Sequence, residues 1–255
     1  MPDPSLVTED LTIRFGGHVA VNKVSCAFRP GELTVIVGPN GAGKTTYFNL
    51  ISGQLPASDG RVSLGGGDIT RLSPSARARK GIGRAFQLTN LFPALSVLEN
   101  VRLAVQARSG LGWRFVSPAA QFSALEEEAR HYLEATKLAE KAGMAAAALP
   151  HGDQRKLEVA LLMAMEPSVY MFDEPTAGMS LDHTPDVLDL IAKLKEDRSK
   201  TILLVEHKMS VVRALADRII VLHNGELLAD GAPEEVMSSQ IVRDVYLGSA
   251  GEDAA

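Results

Sequence analysis

Cysteine is almost missing from this chain: Cys26 stands alone among 255 residues. No disulfide framework can therefore be built within it, and a reducing, cytosolic home fits. Runs of positive charge are missing too. No Lys/Arg run exceeds two residues, and the net charge is -5 with a pI near 5.7, which argues against a nucleic-acid-binding surface. Long apolar runs are also lacking. The longest strongly apolar stretch, VALLMAM at 159–165, is far too short to cross a bilayer. The start MPDPSLVTED has neither a basic n-region nor an apolar h-region, so no signal peptide is expected. Any membrane role would have to be borrowed from a partner. Internal repeats, low-complexity tracts and sustained heptads are absent as well.

What remains is an ordinary globular composition, 45% hydrophobic and 22% charged, enough for a sizeable core. Apolar or alternating β-rich runs occur at Leu11–Phe15, Val24–Phe28, Leu33–Val37, Arg61–Leu64, Val169–Phe172, Thr201–Val205 and Arg218–Leu222. Helical patterns follow several of them, at Lys44–Ile51, Leu181–Glu196 and Met209–Leu215. Strand-then-helix alternation predicts an α/β layer with parallel strands. HNGE at 223–226 predicts an Asn-Gly hairpin turn. From Ser96 to Met165 the pattern changes: Ala, Leu, Glu and Arg dominate, and 3.6-residue periodicity prevails. This predicts a helical lobe inserted into the α/β core, interrupted by a loop over 107–118. The expected division is a core of residues 1–87 and 166–255 around an insertion at 88–165.

The strongest local signal is VIVGPNGAGKTTYFNL. Gly38, Gly43, Lys44 and Thr45 fit G-x-x-x-x-G-K-[ST] directly after one predicted strand and at the start of a predicted helix. The glycines let backbone N–H groups turn inward around phosphates, and the helix N-terminus adds partial positive charge. Lys44 would neutralise the β- and γ-phosphates, and the Thr45 hydroxyl would face Mg²⁺. The strand VYMFDEP ends in two acids: Asp173 is placed to hold Mg²⁺, and Glu174 to orient and polarise an attacking water. ILLVEH delivers His207 to the same kind of strand end, where open α/β sheets bind their ligands. Taken alone, His207, Gln87 and Phe15 would each read as ordinary structural residues.

LPHGDQRKLE at 149–158 opens a further helix. Pro and an acid are ordinary start signals, yet no Ser or Thr stands there as a cap.

Together these motifs resemble the nucleotide-binding subunit of an ATP-binding cassette (ABC) transporter, from Leu6 to Gly248. The resemblance implies an α/β fold, with a P-loop NTPase (ABC ATPase) core, an antiparallel β part and an inserted α-helical subdomain. It also implies roles. Phe15 would stack on adenine, and Gly38, Pro39, Asn40, Gly41, Ala42, Gly43, Lys44, Thr45 and Thr46 would cradle the phosphates of ATP. Gln87 would line the Mg²⁺ and water site and couple it to a membrane partner. Asp173 would hold Mg²⁺, Glu174 would be the general base, and His207 would contact the γ-phosphate. Leu149, Pro150, His151, Gly152, Asp153 and Gln154 occupy the place of the L-S-G-G-Q signature, which in this family is presented to ATP held by a second subunit. Bare N–H groups at a positive helix end are what a γ-phosphate needs, so ATP itself would be the missing cap.

This chain departs from the family pattern at Pro150, His151 and Asp153, where Ser, Gly and Gln are usual, and at Ser180, where many relatives have Asp. In the family all four positions lie in segments that face the opposite subunit; the phosphate-loop motif of this chain is intact. Within the family, GIGRAFQLTNLFPALSVLENV, TAGMS and VRDVYLG look most like the ATPases of branched-chain amino-acid importers. That implies ATP hydrolysis coupled to transport, a second ATPase subunit (the same chain or a paralogue), permease subunits, an external substrate-binding protein and a peripheral place on the cytoplasmic side of the inner membrane. Urea import, lipopolysaccharide export, a soluble ABC ATPase acting on DNA or ribosomes, and a non-hydrolysing nucleotide-binding partner are the alternatives. The acidic balance and single phosphate loop favour transport without nucleic acid, and retention of Glu174 and His207 favours hydrolysis.

Overall fold

The computed structural model describes residues 3, 5–85, 91–110, 119–179 and 184–249. It forms two compact units, one of Met1–Ile82, Ser168–Glu174 and Lys195–Ala255, the other of Gly83–Pro167 and Pro175–Leu194. The insertion expected over 88–165 falls inside the second unit; Pro175–Leu194, which the sequence reading kept with the core, lies in it too.

The first unit holds two sheets. Strands β1 (Leu6–Phe15), β2 (His18–Phe28), β4 (Asp59–Leu64) and β5 (Gly67–Asp68) make an antiparallel sheet in the order β2-β1-β4-β5. In the other sheet, β3 (Leu33–Val37) lies between β8 (Thr201–Val205) and β9 (Arg218–His223), and β8 pairs with β7 (Val169–Asp173), all in parallel. β10 (Glu226–Gly231) joins β9 antiparallel at one edge, and the short strand β6 (Ile82–Ala85) falls at the boundary between the units in sequence. Every residue of β3, β7 and β8 is buried, as continuous apolar runs predict for parallel strands covered on both faces. The expected hairpin joins β9 to β10: Asn224 and Gly225 both have positive φ, 49° and 79°, as a type I′ turn requires.

Helix α1 (Lys44–Ser52) follows β3 and packs Tyr47, Phe48, Leu50 and Ile51 into a core shared with Phe28, Ile36, Met171 and Leu203. Its C-terminal end is closed by an arginine from α2 (Pro74–Arg79), a helix the sequence reading did not identify. Arg77 is 2% exposed and donates to the carbonyls of Leu50, Ile51 and Thr70 at 2.6 Å and of Leu72 at 3.1 Å. Two of these are carbonyls left over at the helix end, where a cation is also favoured by the dipole. Gly53 caps the same turn at φ 80°. A Cβ there would lie 2.8 Å from the Arg77 guanidinium, so a side chain at Gly53 would evict the arginine. The unit ends with α7 (Met209–Leu215), α8 (Pro233–Ser238) and α9 (Gln240–Ser249).

The second unit is helical: α3 (Val97–Arg108), α4 (Ala119–Ala135) and α5 (His151–Ala164) surround a core including Val101, Val105, Ala129, Leu133, Leu157 and Ala160. Asn100, 1% exposed, ties down the segment before α3: its amide accepts from the Phe92 N–H (2.8 Å) and donates to the Phe92 and Ser96 carbonyls (3.1 and 2.9 Å). Ser96 caps α3 through the Glu99 N–H. Helix α6 (Thr184–Glu196) begins in this unit.

Candidate nucleotide site

The loop after β3 turns on glycine. Gly38, Gly41 and Gly43 have φ of 152°, 79° and 95°, backbone that side chains rarely adopt. A Cβ on Gly38 would lie 2.2 Å from the Leu222 carbonyl oxygen, and one on Gly43 would lie 2.6 Å from that of Ala20. Helix α1 starts at this loop with no side-chain cap and no acid in its first turn, so its positive end is left unneutralised. Lys44, 8% exposed, folds back and donates to the Gly38 and Pro39 carbonyls at 2.7 and 2.9 Å. Burial pulls its ammonium below the ordinary lysine range, and the carboxylates of Glu174 and Asp173 push it back up. Asn40, Gly41 and Thr45 are exposed, Thr46 is half-buried and Ala42 is buried. Phe15, at the end of β1, is 50% exposed and so presents an open aromatic face.

The acids reach the same sheet edge by register. Ile36 of β3, Val205 of β8 and Asp173 of β7 lie side by side across the parallel strands. One or two residues further on come Gly38, Glu174 and His207. The Glu174 N–H donates to the Val205 carbonyl (3.0 Å) while its own φ is 47°, a conformation that costs energy in a residue with a side chain. Its Oε1 lies 3.9 Å from His207 Nδ1. Asp173 is 3% exposed, whereas His207 stands out with 55% of its side chain exposed. Lys44, Asp173, Glu174 and His207 thus meet at the C-terminal edge of one parallel sheet, where such sheets bind ligands.

Sequence reasoning overlooked Glu206. It read ILLVEH as a strand delivering His207, but Glu206 is the fully buried one, and its carboxylate accepts the N–H groups of His207 (2.8 Å) and Lys208 (3.0 Å). A glutamate directly continuing an apolar strand was the available signal.

In the second unit α5 does start without a side-chain cap, at Pro150. The N–H groups of Asp153 and Gln154 both donate to the Pro150 carbonyl at 3.0 Å. Gly152 is buried and His151 exposed, which leaves His151 as the open position of the helix start. The Asp153 carboxylate, 5% exposed, is held by Lys141, and Lys156 lies 3.6 Å from it. Lys156 also reaches Asp186 of α6 (2.6 Å), which Lys137 contacts at 2.8 Å. Lys137 first and then Lys156 hold the Asp186 carboxyl down at about 2. Leu149 is buried, and the Gln154 amide donates to its carbonyl at 3.0 Å. Gln87 and Ser180 lie outside the described residues.

Residues 21–177 match the ABC transporter family. The high-affinity branched-chain amino acid transport ATP-binding protein BraF of Pseudomonas aeruginosa is 40% identical, over 98% of this chain and all of its own length. LivG of Escherichia coli K12, a protein described in the same words, is 39% identical with the same coverage. Among solved structures, an ATP-binding cassette of an ABC transporter in its ADP conformation superposes with a TM-score of 0.81 at 30% identity, covering 96% of this chain and 99% of that one. A second cassette, dimeric and bound to ADP and Pi after hydrolysis, gives 0.76 at 26% identity, covering 89% and 98%. With the phosphate loop, its acids and its histidine on one sheet edge, and relatives alike from end to end, the chain belongs to the ABC transporter family, as an ATPase subunit.

Proposed function

We propose that this chain powers an importer for branched-chain or related amino acids. It would act as a peripheral subunit on the cytoplasmic face of the inner membrane. The observation that carries the ATPase half is the register of Ile36, Val205 and Asp173, which brings Lys44, Glu174 and His207 to one edge. Residues 1–87 and 166–255 serve as the nucleotide-binding core and 88–165 as the helical subdomain.

ATP would lie with its base on Phe15 and its phosphates in the loop Gly38–Thr46, facing the backbone donors, the α1 N-terminus and Lys44. The Thr45 hydroxyl and the Asp173 carboxylate would hold Mg²⁺. Hard oxygen donors with a single carboxylate suit an ion that completes its shell with water and phosphate. When bound, Mg²⁺ neutralises charge developing on the phosphates. Glu174 takes the proton of the attacking water, and His207 and Gln87 orient the γ-phosphate and the water. Because the Asp153 carboxylate is held by lysines, the departure from Gln at this position does not aim an anion at phosphate.

A second ATPase subunit, this chain or a paralogue, would supply the facing α5 start. A solved cassette that is dimeric with ADP and Pi bound supports the presence of a second subunit. For the permease, the helical unit offers an apolar groove of about 400 Å³ lined by Phe92, Leu103, Ala104, Ala107, Leu161 and Met165, with Phe92 57% exposed. No described helix is long and apolar enough to cross a membrane, so transport needs those subunits. Cargo follows the named relatives and is chosen by the permease and an external binding protein.

The test is ATPase activity in vesicles holding the permease subunits. Turnover is expected to rise severalfold with the permease, and again when the binding protein carries leucine, isoleucine or valine. A chain stimulated by duplex DNA and indifferent to the permease would overturn this reading.

A further inference from the structure

Glu206 is fully buried at the end of β8, between the strand and His207, and no step of the chemistry above uses it. We propose that Glu206 is a positioning residue for hydrolysis, holding His207 in place through the backbone. The proposal rests on His207 taking part in that reaction.

Its own N–H reaches the Ile36 carbonyl of β3 at 3.4 Å, so its backbone is tied to the strand that leads into the phosphate loop. Its Oε2 accepts both the His207 N–H, at 2.8 Å, and the Lys208 N–H, at 3.0 Å. Two hydrogen bonds converging on one buried oxygen fix the path of the chain as it leaves the sheet. The His207 ring needs such a hold, because more than half of its side chain is exposed and packing does little to restrain it. Its Nδ1 lies 3.9 Å from both Glu174 Oε1 and Glu206 Oε2. Val205, one residue back, accepts the Glu174 N–H. Consecutive residues at one strand end, Val205 and Glu206, therefore set the backbone of the two groups assigned to the attacking water and the γ-phosphate. Both donors belong to the backbone that leaves the sheet, so the hold bears directly on the residue that carries the ring.

Four variants test this, with kcat, KM and the ATP dissociation constant measured for each: Glu206→Gln, Glu206→Ala, His207→Ala and the double variant Glu206→Ala/His207→Ala. Glutamine keeps an oxygen acceptor of the same shape, so kcat should fall only about two- to fivefold in Glu206→Gln. Alanine frees the loop, and displacement of a positioned group lowers kcat by about tenfold or more, with ATP affinity within about twofold of the parent. If Glu206 acts through His207, the double variant should be no slower than His207→Ala. Parental kcat in Glu206→Ala, or a double variant whose losses multiply, would overturn the proposal. If Glu206→Ala does not fold, the same comparison is made with Glu206→Gln, alone and with His207→Ala: parental kcat or multiplying losses again overturn it. Parental turnover in His207→Ala would remove the reading beneath it as well.

Discussion

Replacing Glu174 with glutamine is expected to lower ATP turnover by roughly 10²–10⁴-fold while leaving ATP binding intact. Glutamine has the size of the carboxylate and cannot take a proton from water. The backbone that places it is independent of the side chain: the N–H is held by the Val205 carbonyl and φ stays at 47°. Affinity for ATP should change little, because the loop, the α1 N-terminus and the Lys44 hydrogen bonds to the Gly38 and Pro39 carbonyls stay in place. ATP should therefore accumulate a dimer that no longer dissociates through hydrolysis, visible by size-exclusion chromatography. Turnover like that of the parent would remove Glu174 from the role of base.

Lys44→Ala should act on the other half of the chemistry. The ammonium is the one side-chain cation that the loop itself brings to its phosphates. It also braces the loop through the Gly38 and Pro39 carbonyls. Losing a charge-assisted hydrogen bond costs about 1.5–3 kcal/mol, so ATP affinity should fall roughly ten- to a hundredfold. Turnover should fall further, because charge on the phosphates grows toward the transition state. The fold should survive, since α1 is held by Tyr47, Phe48, Leu50 and Ile51 and by Arg77 at its end. Titration with a fluorescent ATP analogue and a thermal melt check both statements; unchanged affinity would refute the phosphate-loop assignment.

How legible each feature was depends on the range of the interactions that make it. The phosphate loop is a local device, and its glycine spacing can be read directly from Gly38 to Thr45. Leu33–Val37 and Thr201–Val205 have their predicted bounds because strands covered on both faces leave an unbroken apolar record. β1 begins at Leu6 rather than Leu11, because Glu9 and Asp10 on its exposed side interrupt the alternation. α2 carried an N-cap serine and a Pro at its start, yet six residues are too few for periodicity to show. Arg77 and Glu206 were missed for a different reason. Each is a buried polar side chain bound to backbone groups, and for Arg77 these come from elements brought together only by folding. Asp153 reads as an acid in a first turn until Lys141, twelve residues earlier, is found on it.

The departures from the signature gather at the start of α5, where burial separates the positions that can be substituted from those that cannot. Gly152 is buried, so a side chain there would test the chain's own packing; His151 is open to solvent. An acid at His151 suits the dipole at the start of α5 and should not cost stability, yet it would repel a phosphate brought to that helix end. The most direct measurement is the ATP dissociation constant of the isolated His151→Asp chain alongside the ATPase rate of the assembled transporter carrying it. If ATP held by one subunit is closed over by the α5 start of the other, the isolated chain should bind ATP as the parent does. The assembled enzyme should then keep roughly half of the parental rate or less, the higher value applying where a paralogue supplies the second site. Parental turnover in that assembly, or weakened ATP binding by the isolated chain, would contradict the account.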